Sequence, residues 1–342
     1  MSLEERNKWK GAEKKMWRQI GRLFIKFIGI VLPVFGALSL YCALFPMWYM
    51  DGEYAMYRQQ KDYVTENQDY NRVLIIGDSR TKAGFIPDGL SGDCYNLALG
   101  GTTPIEGYYT LKEYLKNHPA PEYVVLAYAP MHYMDVDALW TRNIYFHVMN
   151  PEDAEELFGI AAGFEDKEKI LREHYRLEYA MYRLYMPNKY CTALKNAGFI
   201  GRHAFNEEKY SQVRNGRGQC YFGLADGSGD INGEAKESNF SSSDVVTFYM
   251  QRIFDLCSES NIQVVVEQLP MNETSRSILT EDFKEHYRDY MYELAVANPN
   301  VRIFGDFYMY PNDYFGDADH LNPVGAQAYC NFMKERYPDI FH

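Results

Sequence analysis

Gly77-Asp78-Ser79-Arg80 follows directly on a short continuous apolar run, Val73-Leu-Ile-Ile. Such a run marks a strand buried on both faces, and a serine at its carboxyl end sits where open α/β sheets bind their ligands. By itself Gly-Asp-Ser is also a common strand-to-helix cap, and Asp78 reads as a supporting hydrogen-bonding residue. The segment Asp317-Ala-Asp-His-Leu-Asn-Pro-Val-Gly-Ala326 supplies what a serine nucleophile needs. An aspartate and a histidine three residues apart, just before a capped helix, can share one turn. Asp317 can then hold the His320 imidazole in the tautomer that takes a proton from a hydroxyl. Asp319 is the rival carboxylate and ranks second, because its side chain points elsewhere on the same turn. A solvated acidic turn with a capping histidine is the plainer alternative.

A third element is Tyr95-Asn-Leu-Ala-Leu-Gly-Gly-Thr-Thr103, an apolar run that breaks into paired glycines. A glycine N–H can approach a reacting carbonyl closely and stabilise the oxyanion. A plain turn after a strand explains the same residues. Together the three elements suit acyl transfer through a serine ester, with a histidine that can take a hydroxyl proton, an aspartate to support the imidazolium and a glycine N–H for the oxyanion. Attack by a hydroxyl gives transfer and attack by water gives hydrolysis. The triad is the same in both.

The elements that must hold these residues are legible as further apolar runs at residues 123–128, 262–267 and 301–304. Helical patterns at 106–117, 244–258, 277–297 and 323–336 alternate with them, which predicts a parallel sheet with helices on both faces. Residues 133–243 break the rhythm and read as a mostly helical insertion. Within it Ile170, His174, Leu177, Met181 and Leu184 form one stripe of a long amphipathic helix, and residues 214–243 read as a loop.

Block by block, the chain resembles the SGNH/GDSL hydrolase superfamily from Val73 to the C-terminal helix, the insertion excepted. Gly77-Asp78-Ser79 matches the first block, Asn96 with Gly101 the second, and Asp317-x-x-His320-x-Asn322 the last. The resemblance implies a three-layer, flavodoxin-like α/β fold, with Ser79 as nucleophile, Gly101 as oxyanion donor, and Asp317 and His320 completing the triad. One block departs. The family usually has Gly-x-Asn-Asp after the second long strand, and here the chain reads Ala127-Tyr-Ala-Pro-Met-His132. One lost oxyanion donor costs about 2.7–4 kcal/mol of transition-state stabilisation. His132 is the nearest polar substitute, and a surface-loop histidine is its plain alternative. Gly77 to Gly84 fits neither a dinucleotide fingerprint nor a phosphate loop. The six cysteines show no CxxC pair, and neither a metal nor a cofactor is expected.

The formal charge of −12 divides unevenly. Residues 1–26 hold eight basic and three acidic residues, a net of +5, which leaves −17 on the rest. Between the two, residues 27–50 carry no charge. A helix of that length spans about 36 Å, enough for a bilayer core. Tyr41, Trp48 and Tyr49 lie toward its far end, as interfacial aromatics do. The expected organisation is a cytoplasmic basic segment (1–26), an uncleaved single-pass signal anchor in the cell membrane (27–50), a polar stalk (51–71) and an extracytoplasmic domain (72–342). A basic footprint for nucleic acid is absent from the acidic body.

An anchored, outward-facing SGNH domain lacking the Asn block looks like the branch that includes the D-alanyl transfer protein of teichoic-acid modification and the alginate-type O-acetyltransferases. That likeness implies a cell-envelope polysaccharide or teichoic acid as substrate, with a membrane-bound O-acyltransferase as candidate partner. The alternatives are a membrane-tethered carbohydrate or lipid esterase, and a catalytically weak binding partner of such an acyltransferase. Of the 30 tyrosines and 4 tryptophans, Tyr128, Tyr133, Trp140, Tyr145, Tyr310 and Tyr314 fall near strand ends or the His320 loop, where a sugar groove is first sought.

Overall fold

The computed structural model describes residues 3–66, 68–184 and 190–342. The strands are β1 (Val73–Gly77), β2 (Cys94–Asn96), β3 (Tyr123–Ala127), β4 (Gln263–Val266), β5 (Met271–Asn272), β6 (Arg302–Ile303) and β7 (Met309–Tyr310). The helices up to the end of β3 are α1 (Leu3–Leu44), α2 (Tyr54–Glu66), α3 (Ser79–Gly84), α4 (Pro87–Leu90) and α5 (Pro104–Asn117). Between β3 and β4 come α6 (Met131–Met134), α7 (Pro151–Ala161), α8 (Tyr175–Arg183), α9 (Tyr190–Asn215) and α10 (Asp244–Glu259). The remaining helices are α11 (Glu273–Ile278), α12 (Glu281–Ala297) and α13 (Pro323–Arg336).

Five strands form a parallel sheet in the order β2-β1-β3-β4-β6. This is the doubly wound, flavodoxin-like order, with its topological switch point at β1. Alternate residues of each strand feed two cores. Leu74, Ile76, Val124 and Leu126 pack with Ile105 and Leu111 of α5 and with Tyr249 and Ile253 of α10. Val73, Ile75, Val125 and Ala127 face Phe85 and Tyr329, Cys330 and Met333 of α13. Burial on both faces is why these strands read as unbroken apolar runs. Gly77 and Ala127 are paired in register, and a Cβ on Gly77 would lie 2.0 Å from the Ala127 carbonyl oxygen. The opposing atom is backbone, so it cannot swing aside. Gly77→Ala is expected to cost about 3 kcal/mol or more, read as a lowered thermal midpoint of the detergent-solubilised chain. A midpoint unchanged by the substitution would contradict this packing.

The N-terminal region departs from expectation at both ends. α1 is one 42-residue helix that includes the basic segment, carries Pro33 inside it, and is long and apolar enough to cross a membrane. Its apolar part ends at Leu44 rather than residue 50. A short turn at Pro46–Trp48 follows, and Tyr49 and Met50 are buried in the domain. Residues 51–71, expected as a polar stalk, instead contain α2, which packs into the domain. Tyr54, Tyr57 and Tyr63 of that helix are buried, Tyr63 stacks on Tyr95 at 3.6 Å, and Tyr57 donates to the Gly100 carbonyl at 2.5 Å. The polar look of the segment comes from tyrosines and glutamines that are packed inside, the glutamines through hydrogen bonds from their amide N–H groups. Gln59, for example, donates to the Tyr95 hydroxyl at 2.8 Å.

The insertion also differs from its predicted stripe. Ile170 is buried, but Leu177, Met181 and Leu184 are exposed and the helix there is only α8. Tyr175 and Tyr179 are the face that packs, edge-on against Phe158. Large half-buried aromatics outcompete the thinner aliphatic row one residue round the helix. Cys42, Cys94, Cys220, Cys257 and Cys330 are free and buried, and the Cys191 side chain lies outside the described residues.

Candidate active site

Ser79 is the first residue of α3, where β1 ends at the switch point. Asp78 makes that turn. Its Oδ1 accepts from the N–H groups of Arg80 (2.9 Å) and Thr81 (3.3 Å), and its Oδ2 accepts from Ala129 N–H at 2.6 Å. One buried carboxylate thus caps the helix and joins the ends of β1 and β3. His132 Nε2 lies 3.6 Å from the same Oδ2, turned toward the cap. His132→Ala is therefore expected to lower kcat/KM less than tenfold. A loss of about 10²–10³ would make it the missing oxyanion donor.

His320 and Asp317 share one turn. The ring Nδ1 lies 2.9 and 2.8 Å from the two Asp317 oxygens. Oδ1 of Asp317 also accepts from the backbone N–H groups of Asp319 (2.9 Å) and His320 (2.8 Å), so the carboxylate is fixed before it orients the ring. Burial alone would raise the Asp317 carboxyl pKa. The hydrogen bond and charge of His320, with the two N–H groups, outweigh it and hold the pKa below the ordinary value. With Nδ1–H donated to Asp317, Nε2 keeps its lone pair, and it has no hydrogen-bond partner among the described residues. Phe222, from the loop after α9, stacks on the imidazole at 4.7 Å. That loop crosses the His320 turn at Gly223 and Gly316, where a Cβ on either glycine would lie within 2.6 Å of the other's backbone.

The paired glycines lie opposite. A Cβ on Gly100 would be 3.8 Å from the Ser79 Cβ. Gly101 has φ +69°, and a Cβ there would meet Asp137 Oδ2 at 2.8 Å, so the turn admits glycine alone without strain. Their carbonyls are held by Tyr57 Oη and Ala138 N–H. Among the described residues, the N–H groups of Ser79, Gly100 and Gly101 have no backbone acceptor. Asn96 braces this loop from behind. It donates to the carbonyls of Thr81 and Phe85, both at 3.0 Å, and accepts from Ala98 N–H. Asn322 caps α13 and donates to Asp313 and Ala225 carbonyls. Both asparagines are structural supports.

Glu106 closes the other side of the loop through a capping box with Thr103, accepting its N–H at 2.8 Å and its hydroxyl at 2.6 Å. Burial pushes its pKa up to about 7, against the lowering effect of those hydrogen bonds. The folded state therefore holds a proton that the unfolded chain releases above its ordinary pKa. This stabilisation is complete in acid and is lost as pH rises toward 7, by up to about 1.4 kcal/mol per pH unit. Glu106→Gln is expected to flatten that slope in a thermal-midpoint series from pH 4.5 to 8. A slope unchanged by the substitution would assign it elsewhere.

Ser79, Gly100, Gly101, His132 and His320 line one cavity of about 300 Å³. The structure adds residues that motif reading missed. Arg80 Nη2 reaches Glu234 at 2.6 Å and Asp319 at 2.5 Å. Asp319 thus turns to Arg80 and not to His320. Burial disfavours the Arg80 charge, but the two carboxylates outweigh it and hold its pKa above the ordinary value. Arg142 pairs with Glu53 and lies 3.5 Å from Asp137. Glu53, Asp137, Arg142 and Phe222 also line a second cavity of about 710 Å³, so the two form one cleft. Only the position of Arg80 beside Ser79 offered a signal. Glu53, Arg142, Phe222 and Glu234 arrive from distant segments.

Most of the aromatics expected to form a sugar groove do not line the cleft. Tyr128, Tyr133 and Trp140 are core residues, fully enclosed. Tyr310 and Tyr314 pack edge-to-face on each other and line neither cavity. Tyr145 alone of the six lies on a wall of the larger cavity.

No protein-family model and no curated relative matches the chain. Among solved structures, a Bacteroides fragilis protein provisionally assigned as an acylhydrolase is similar at 13% identity and a TM-score of 0.37, over 83% of this chain and 94% of its own. A protein from Streptococcus pneumonia, provisionally assigned as a platelet activating factor, is similar at 13% identity and a TM-score of 0.36, over 87% and 98%. Likenesses of this degree say nothing of activity.

Proposed function

We propose that the chain is a serine acyltransferase of the SGNH type, anchored by α1 with its N-terminus cytoplasmic and its α/β domain outside, that modifies a cell-envelope polymer. One observation carries the reading: the Asp317–His320 pair leaves an unpartnered Nε2 on the cavity that also holds Ser79 and the Gly100–Gly101 turn. In the first step Ser79 Oγ attacks the donor carbonyl while its proton passes to His320 Nε2. The N–H groups of Ser79 and Gly101 receive the oxyanion. Collapse expels the donor's leaving group, which takes the proton from His320, and an acyl-serine remains. An acceptor hydroxyl then gives its proton to Nε2 as it attacks the ester, and collapse expels Ser79 Oγ, which takes that proton back from Nε2 while the acceptor carries the acyl group away.

The cleft beside the serine has room for a polymer chain next to the acyl-serine, which suits an acceptor hydroxyl. A membrane-bound O-acyltransferase is a suitable donor of acyl groups. Labelling of the detergent-solubilised chain with a fluorophosphonate probe tests the chemistry: wild type is expected to label and Ser79→Ala is not. Absence of labelling in wild type, or its survival in the variant, sinks the serine mechanism. Supplying an acyl donor with a polymer acceptor, against a water-only control, separates transfer from hydrolysis.

A further inference from the structure

We infer that the acceptor bound in this cleft is an uncharged polyhydroxylated chain, a neutral glycan, and not a polymer carrying a phosphate or carboxylate on each unit. The inference rests on the acyl-transfer reading and narrows its substrate. Its basis is the charge pattern along the cleft. Recognition of an anionic repeat needs guanidinium or ammonium groups with donors to spare. The charge of both cleft arginines is already matched, each by two carboxylates: Arg80 by Glu234 and Asp319, with its unpartnered Nη1 enclosed and out of reach of a ligand, and Arg142 by Glu53 and Asp137. Among the described lining residues, the remaining cation is Lys209, whose ammonium lies 3.4 Å from the Cys220 sulfur. Over the two cavities, five carboxylates stand against three cationic side chains. Summed over the cleft, a polyanion threaded here would meet net repulsion.

The walls fit the opposite chemistry. The larger cavity is lined by Phe205, Tyr221 and Phe222, with the mostly buried Tyr145 behind them, and Asp51 adds a third carboxylate to Glu53 and Asp137. Aromatic faces pack against the C–H faces of sugar rings, and carboxylates accept hydrogen bonds from hydroxyls. The cleft begins at Ser79 and continues past Arg142, so a chain lying along it presents one hydroxyl to an acyl-serine while neighbouring units occupy the aromatic end.

Isothermal titration of the full Ser79→Ala chain in detergent tests this, using uncharged hexasaccharides of glucose, mannose and N-acetylglucosamine against a glycerol-phosphate hexamer. At least one hexasaccharide is expected to bind saturably, and the phosphate oligomer to bind at least tenfold more weakly. Phe205 is exposed, so Phe205→Ala leaves the core intact; it is expected to weaken the sugar at least tenfold, with an unchanged thermal midpoint as control. Asp137→Asn, which loosens the hold on Arg142, is expected to raise affinity for the phosphate oligomer. Tighter binding of the phosphate oligomer, absence of binding by all three sugars, or sugar binding indifferent to Phe205→Ala overturns the inference. Fluorophosphonate labelling of the wild type reports separately on the acyl-serine chemistry, so either reading can fail while the other stands.

Discussion

Arg80→Met is expected to destabilise the chain by about 3–5 kcal/mol and to abolish turnover, because it strands a buried carboxylate. The Glu234 side chain is fully buried and its ion pair is with the Arg80 guanidinium. Asp319 is 38% exposed at its side chain and can take up water once its partner is gone, so the penalty falls on Glu234. The same guanidinium joins the helix that starts at the nucleophile, the loop of the insertion and the turn that carries His320. Its loss therefore uncouples three segments at once. Thermal unfolding of Arg80→Met, Glu234→Met and the double variant reads the pair. The double variant is expected to be more stable than the sum of the singles implies, with a coupling of about 2 kcal/mol or more. Strict additivity would show that the two groups do not share one buried charge.

Asp317→Asn gives the second large effect, on rate and not on stability. An amide at this position can still accept from the N–H groups of residues 319 and 320, so the turn survives. It cannot stabilise the imidazolium, and its NH₂ group favours the tautomer with the proton on Nε2. A loss of about 10³–10⁴ in kcat is expected, as for loss of the orienting carboxylate in other serine triads. The thermal midpoint near neutral pH is expected to shift by only a few degrees. Because the Asp317 carboxyl is held below its ordinary pKa, its stabilising contribution is present above the ordinary carboxylate range and is lost as pH falls through that lowered value. A wild-type rate in Asp317→Asn, with Asp319→Asn collapsing instead, would exchange the roles of the two aspartates.

How far the sequence carries depends on whether the information is local. β1, β3 and β4 were legible because two covered faces leave uninterrupted apolar runs, and Ser79, Asp317, His320 and Gly101 because each lies in a contiguous motif. The partners of Arg80 and Arg142 were not. Glu234 and Asp319 lie more than a hundred residues from Arg80 in sequence, and no spacing rule connects them. α2 was misread for a different reason. Its buried stripe is made of Tyr54, Tyr57, Gln60 and Tyr63, which hydropathy scores as polar though all four are packed inside, Gln60 with its amide donating to Thr110. The same ambiguity placed Tyr128 and Trp140 in a groove when their rings fill the core. An aromatic that suits a sugar also suits a protein interior, and only the fold decides between the two.

Four residues, Phe45 to Trp48, separate the end of α1 from the buried Tyr49, and Tyr49 itself lines the wide end of the cleft. Fully extended, such a link reaches about 14 Å. In a membrane the domain is therefore a tool on a short leash, held at a fixed height above the lipid. It cannot sweep outward along a long polymer. Under the proposed acyl transfer, a polymer would be acylated where it comes within reach of the membrane, so the anchor would set a ruler for where along it the acyl groups are written.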